Sequence, residues 1–263
     1  MRILIRGAGD LASGIALRLY RAGFTPILCD LPQPTAIRRT VCFSEAVYRG
    51  ETAVEDIIAC HAALADVPEL LSRRILPVLT DSETDILAAL RPDVLVDAII
   101  AKKNLGTRID MAPVVIAAGP GFVPGMDCHA VVETMRGHTL GRVYYDRPTI
   151  DNTAVPGLIG GFAGERVLRA PADGVFRPCR AIGDRVHEGE TVAYVEGLPM
   201  VSTITGILRG ILPDGITVTA GMKSGDVDPR CQPENCTTVS DKALAVGGGV
   251  LEAILHFSAD LHL

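Results

Sequence analysis

Tryptophan is absent from this 263-residue chain, and six Phe and five Tyr are its only phenyl-type aromatics, so its core must be aliphatic and the composition argues against a stacking platform for single-stranded bases. Lysine is scarce as well, limited to Lys102, Lys103, Lys223 and Lys242. The 25 basic residues are outnumbered by 31 acidic ones, giving a net charge of −6, which argues against nucleic acid as a bulk electrostatic partner. No apolar run approaches the roughly 20 residues of a membrane span, and Ile3-Leu4-Ile5 is too short for a signal-peptide core. These absences lead us to expect a cytoplasmic protein with no membrane partner. The seven cysteines are an odd number and widely scattered, which reads as free thiols rather than a disulfide framework.

Up to about residue 118, short aliphatic runs alternate with helical stretches. Strands are expected at Arg2–Arg6, Pro26–Asp30, Ile75–Leu79, Val94–Ile100 and Val114–Ala118, and helices at Asp10–Arg21 and Ser82–Leu90. This alternation predicts an α/β domain with a parallel sheet covered on both faces. From Arg166 onward, short strands punctuated by Gly and Pro replace the helices, over Val167–Ala170, Gly174–Phe176, Thr191–Val195, Val201–Thr205, Ile207–Ile211 and Ile216–Thr219. The Gly183-Asp184 and Asp214-Gly215 turns sit in two similarly spaced strand–turn–strand units, the pattern of a small two-fold sandwich. The boundaries are therefore placed at 1–160 for a Rossmann-like α/β domain and 161–232 for an all-β barrel-sandwich module. Residues 233–263 form a C-terminal helical segment returning to the first domain. Its three consecutive glycines, Gly247 to Gly249, cost about 2–3 kcal/mol in a helix and are expected to lie near the Gly119–Gly125 loop.

Gly7-Ala8-Gly9-Asp10-Leu11-Ala12 fits the G-x-G-x-x-A pattern between a strand and a helix, where the helix N-terminus presents free N–H groups to an anion. Asp30, closing the second strand, is placed to accept from a ribose hydroxyl, while Arg38, Arg39 and Lys102 could neutralise a phosphate. Gly119 and Gly121, in a constrained loop after the last parallel strand, are expected on the same edge. Gly7, Gly9, Asp10, Leu11, Ala12, Asp30, Arg38, Arg39, Lys102, Gly119 and Gly121 are thus the candidate ligand-binding residues. Cys128 and His129 are the candidate catalytic pair, since an imidazolium lowers a neighbouring thiol pKa. Asp127, Glu133, Arg136 and His138 stand close by in sequence. Cys128, His129, His138, Cys231 and Cys236 are metal-ligand types at poor spacing, so no metal site is expected.

Several blocks together carry a resemblance. They are Arg6 to Gly14, Arg38 to Tyr48, Gly119 to Phe122, Glu133 to His138, Asp226 to Arg230, and Ser240 to Ala243. They look like the bacterial selenium-dependent molybdenum hydroxylase system accessory family. The N-terminal half is similar to the Rossmann domain of xanthine dehydrogenase accessory proteins. Residues from about 166 to 230 are similar to biotinyl/lipoyl carrier domains, with Pro199 where the modified lysine would stand. The resemblance implies a protein that matures or inserts a molybdopterin-type cofactor, with a client molybdenum hydroxylase and a small phosphate-bearing ligand as partners. An NAD(P)-dependent oxidoreductase and a non-catalytic interaction scaffold are the alternatives. Catalysis, direct handling of selenium and homo-oligomer formation are left open.

Overall fold

The computed structural model describes residues 1–153 and 157–258. The chain divides into two compact units. The first is assembled from residues 1–34, 42–153 and 239–263, and the second from residues 35–41 and 154–238. The last five residues of the expected 233–263 segment lie outside the described residues.

In the first unit, β1 (Ile3–Arg6), β2 (Ile27–Cys29), β3 (Glu51–Val54), β4 (Ile57–His61), β5 (Leu76–Leu79), β6 (Val94–Asp97), β7 (Val114–Ala118), β8 (Ala130–Val132) and β9 (Val143–Tyr144) form one sheet. Their order is β3-β4-β5-β2-β1-β6-β7-β8-β9. Neighbours from β4 to β8 pair in parallel, and both outermost pairs are antiparallel. β1, β5, β6, β7 and β8 are buried along their whole length, as strands covered on both faces must be. The helices are α1 (Asp10–Arg21), α2 (Glu45–Arg49), α3 (Val67–Ser72), α4 (Glu83–Leu90) and α5 (Asp241–Ser258). α4 starts where Ser82 accepts the Asp85 N–H at 3.2 Å, a side-chain N-cap.

The second unit contains β10 (Val167–Arg169), β11 (Gly174–Pro178), β12 (Arg185–Val186), β13 (Thr191–Val195), β14 (Leu198–Val201), β15 (Gly206–Ile211), β16 (Thr217–Val218) and β17 (Lys223–Asp228). They form two four-stranded antiparallel sheets, ordered β10-β17-β15-β12 and β14-β13-β11-β16. Phe176, Val192, Val195, Leu208, Leu212 and Val227 are in its core.

The expected fold class is corrected by this topology. A Rossmann-like parallel sheet followed by a small barrel-sandwich is not what the chain forms. The first sheet is mixed, because the hairpin β3–β4 adds an antiparallel strand at one edge and β9 adds another at the opposite edge. The second unit is two antiparallel sheets, completed by the short segment 35–41, in which the Ile37 carbonyl accepts the Ile211 N–H at 2.8 Å. The β3–β4 hairpin was not read from sequence because its Glu55-Asp56 turn lacks glycine and asparagine. Glu55 itself takes the positive φ of 54°.

α5 packs along α1. Gly14 permits this approach, since a Cβ there would stand 2.5 Å from the Ala243 Cβ and 2.9 Å from its carbonyl oxygen. The close neighbours of Gly247 are Arg18 and Gly14, and those of Gly249 are Gly141 and Val132, so the 119–125 loop is not what these glycines meet. Gly248 has open space around its missing Cβ. Gly14→Val should therefore destabilise the first unit by about 1–3 kcal/mol or more through overpacking. Gly248→Ala should stabilise it by up to about 1 kcal/mol through helix propensity. Urea denaturation followed by circular dichroism checks both; equal midpoints for the two variants would contradict the packing described.

Candidate functional site

The carboxyl ends of β1, β2, β6, β7 and β8 share one edge of the first sheet, the place where open α/β sheets bind ligands. The turn between β1 and α1 is held from several directions. Gly7, at φ +102°, donates its N–H to the Cys29 carbonyl at 2.7 Å. A Cβ on Gly7 would lie 2.9 Å from the Ala98 carbonyl oxygen, so the turn and the end of β6 are in direct backbone contact. The Ala8 N–H donates to the Asp30 carboxylate at 2.8 Å. Ser13, fully buried inside α1, donates its hydroxyl to the Ala8 carbonyl at 3.1 Å and accepts the Phe43 N–H at 2.8 Å. Gly9 caps α1 with extended backbone and supplies no side-chain cap.

Asp30 has both carboxylate oxygens engaged by backbone, since Oδ1 accepts the Leu31 N–H at 2.8 Å. Burial raises its carboxyl pKa above the ordinary aspartate range, while the hydrogen bonds from Leu31 and Ala8 work in the opposite direction. Asp10 places a second carboxyl in the first turn of α1.

β6 ends at Asp97, short of the expected Ile100, because Asp97 turns the chain. Its Oδ1 accepts the Ile99 N–H at 3.1 Å, and its Oδ2 accepts from Arg6 Nη1 at 3.0 Å and from the Thr107 hydroxyl at 2.5 Å. Arg6 also meets Glu83 (Nε to Oε1, 2.5 Å) and the Leu105 carbonyl at 3.4 Å. Arg6 and Asp97 are both buried, so this pair depends on its surrounding hydrogen bonds to offset desolvation. The loop that follows carries backbone strain, with Ile100 at φ 60° and Lys102 at φ 63°. A Cβ on Gly121 would fall 2.5 Å from the Lys103 Cα, which joins this loop to the one after β7.

The sequence-derived candidates are divided between the two units. Gly7, Gly9, Asp10, Leu11, Ala12, Asp30, Lys102, Gly119 and Gly121 all belong to the first unit, on loops and a helix terminus at the carboxyl edge. Arg38 and Arg39 belong to the second unit. There Arg38 donates to the carbonyls of Asn235 (3.0 Å) and Thr238 (3.4 Å), and Arg39 to that of Ile211 (3.1 Å).

Cys128 and His129 precede β8 and so lie at its amino end, away from the carboxyl edge. Burial pushes the Cys128 thiol up to about 12, the opposite of an activated thiolate. His129 exchanges hydrogen bonds with the Val115 backbone, accepting that N–H at Nδ1 (3.0 Å) while its own N–H reaches the Val115 carbonyl (2.7 Å). Burial lowers its pKa, and its ring packs edge-on against Phe257. Glu133, fully buried after β8, accepts the N–H groups of Met135 and Ile150. Arg136 forms a bidentate pair with Asp241 at 2.8 Å on α5. No cluster of three metal-ligating side chains occurs among the described residues.

Sequence reading missed Asp97, Thr107, Glu83 and Ser13. A charge ending the apolar run Val94-Leu95-Val96 was the available signal for Asp97. Nothing local could pair it with Arg6, 91 residues away.

No family model matches the chain. A curated relative, the uncharacterized protein YqeB of Escherichia coli K12, is 51% identical over 254 residues, covering 96% of this chain and 47% of its own length. The chain thus spans about half the length of the curated relative it matches. Among solved structures, an aspartoacylase family protein from Mesorhizobium loti aligns over 86% of this chain and 84% of its own, at 13% identity and a TM-score of 0.27. The ectoine utilization protein EutE from Ruegeria pomeroyi covers the same shares at 10% identity and a TM-score of 0.27. Likeness at this level transfers neither fold nor chemistry. Nothing in these similarities supports the earlier expectations. The relative is uncharacterized, and neither the aspartoacylase family protein nor the ectoine utilization protein is a molybdenum hydroxylase accessory protein by name. The reading as a cofactor-maturation factor is not carried further, and neither are the oxidoreductase and scaffold alternatives. Concerning membranes, no described helix is long and apolar enough to cross one.

The thiol chemistry is directly testable. With reagent at about pH 8, the exposed Cys179 and Cys231 should react first, and Cys128 and Cys29, both pushed up to about 12, only after denaturant is added. Mass mapping of the labelled peptides reads the order. Rapid labelling of Cys128 in the folded chain would restore it as a nucleophile candidate.

Proposed function

We propose that the first unit binds a small anionic molecule bearing a hydroxyl group at the carboxyl edge of its sheet. The observation that carries this reading is the convergence there of an uncapped helix N-terminus, a desolvated Asp30 and strained loop backbone. In this reading the first N–H groups of α1, at Asp10, Leu11 and Ala12, together with the exposed Lys102, face the anionic group. Gly7, Gly119 and Gly121 let the loops of this edge pack closely, each where a Cβ would strike a neighbouring chain segment. Asp30 accepts from the hydroxyl. The chemistry such an edge supplies is proton transfer at Asp30, whose raised pKa brings its protonation closer to neutrality than that of a free aspartate. Asp10 restricts the anionic group to the backbone side of the turn, because two carboxyl groups in one notch disfavour charge beside either.

Thermal-shift titration of the full chain with pentose phosphates and with short hydroxy acids tests the reading. A binder at a hundred times its Kd adds about 2.7 kcal/mol to folded-state stability, which appears as a clear rise in Tm. Asp30→Ala should weaken a hydroxyl-bearing ligand about tenfold, about 1.4 kcal/mol, and leave its deoxy analogue unaffected. A flat Tm across both ligand classes, or equal losses for the hydroxyl and deoxy forms, would defeat it.

A further inference from the structure

The Asp226-Val227-Asp228-Pro229-Arg230 stretch takes no part in the first unit's sheet edge, yet it builds a buried ionic network in the second unit. Asp226 and Asp228 are two apart on β17 and so point to one face of the strand. β17 lies between β10 and β15. Arg209, on β15, reaches Asp226 Oδ2 through Nε at 2.9 Å and Nη2 at 2.7 Å. Arg166, which immediately precedes β10, reaches Asp226 Oδ1 through Nη1 at 3.1 Å. One carboxylate is thus shared by two guanidinium groups.

Asp228 does little to relieve this. Its short bonds go to Arg230, at 2.9 Å from Nε, 2.6 Å from Nη2 and 3.0 Å from the backbone N–H, and Asn235 adds a longer one at 3.3 Å. It approaches Arg209 Nη1 only at 3.4 Å. Burial alone would raise the Asp228 carboxyl, but the Arg230 hydrogen bonds and nearby guanidiniums hold it at about 2.

Arg166 is the group left short. Its side chain is 6% exposed, and its buried Nε–H has no hydrogen-bond partner among the described residues. Among the described residues, Nη2 makes only a long 3.3 Å bond, to the Gly157 carbonyl. The charges acting on it are Asp226 and Asp228 in favour and Arg209 and Arg230 against, and burial is the largest influence, lowering its pKa. A buried guanidinium with an unmet donor is costly, and a planar fork of this kind is matched by the oxygens of a carboxylate, phosphate or sulfate.

We propose that the Arg166 guanidinium, with the positive charge of Arg209 beside it, forms an oxyanion site in the second unit, with the ligand oxygen accepting from Arg166 Nε and replacing the weak bond to Gly157. The shared chemistry is a compact oxyanion, and separate phosphate and dicarboxylate titrations distinguish its sources. The full chain is titrated with inorganic phosphate and, separately, with malonate, at constant ionic strength set by chloride. Calorimetry gives affinity, and nitrogen-15 NMR follows the arginine Nε–H resonances. At least one oxyanion should saturate at one site per chain and move the Arg166 resonance. Arg166→Lys should weaken that binding at least tenfold, while Arg108→Lys, at an exposed pair with Asp110, should leave it unchanged. An Arg166 resonance that stays in place at saturating phosphate and malonate would overturn the proposal, whether or not the variant folds. Equal affinity in a folded Arg166→Lys variant would overturn it as well. Because the resonance reports on Arg166 itself, a ligand bound only at the first unit's sheet edge cannot imitate the result.

Discussion

The ion pair between Arg6 and Asp97 decides where β1 and β6 stop, and the candidate edge of the first unit follows from that. Both residues end apolar strands that run side by side in parallel, with Arg6 opposite Asp97 in register. Burying one without the other would leave an uncompensated charge in the core, so the two strand ends are fixed together. Glu83 and Thr107 complete the network, tying the start of α4 and the far end of the 98–107 loop to the same guanidinium. The strained backbone at Ile100 and Lys102 is a consequence. A loop anchored at both ends by one buried pair must make its turn in the residues between.

The glycine turn depends on that placement. Gly7 lies against Ala98, the residue after Asp97, so a shift of the β6 end would close the space the turn occupies. On its other side the turn is bound by Ser13 and by the Ser44 N–H, which donates to the Ala8 carbonyl at 2.9 Å. α1 starts directly from this frame, and no side chain caps its first turn. The second unit treats buried charge differently. Its arginines crowd around shared carboxylates instead of pairing one to one, and a donor goes unmet.

The apolar runs and their spacing identified most elements of the first unit, including β1, α1, β5, α4 and β7, because a strand buried on both faces must be apolar throughout and a helix needs one apolar stripe. The glycine turn was likewise legible, since the G-x-G-x-x-A spacing constrains backbone within a few residues. The Asp30 contact to the turn was half legible: the acidic residue at the strand end could be marked, but its bond to Ala8 N–H could not. Cys128 and His129 stand apart from the sheet's carboxyl edge for a reason of direction. Both residues are chemically suited to catalysis, but β8 runs parallel to β7, and that places them at its amino end with the thiol desolvated.

Composition and local pattern by themselves determined an aliphatic, cysteine-reduced chain with a strand–helix half, a strand-only stretch and a tight glycine turn at residue 7. Those are short-range properties, set by side-chain volume, charge and backbone freedom over a few positions. The tertiary structure alone decided that the sheet is mixed, that residues 35–41 carry Arg38 and Arg39 into the second unit, and that Arg6 meets Asp97. Each of these joins residues far apart in the chain, and each is selected by the burial of charge or apolar surface that no local window contains. The same holds for Arg166, whose missing partner is apparent only once β10, β15 and β17 are brought side by side.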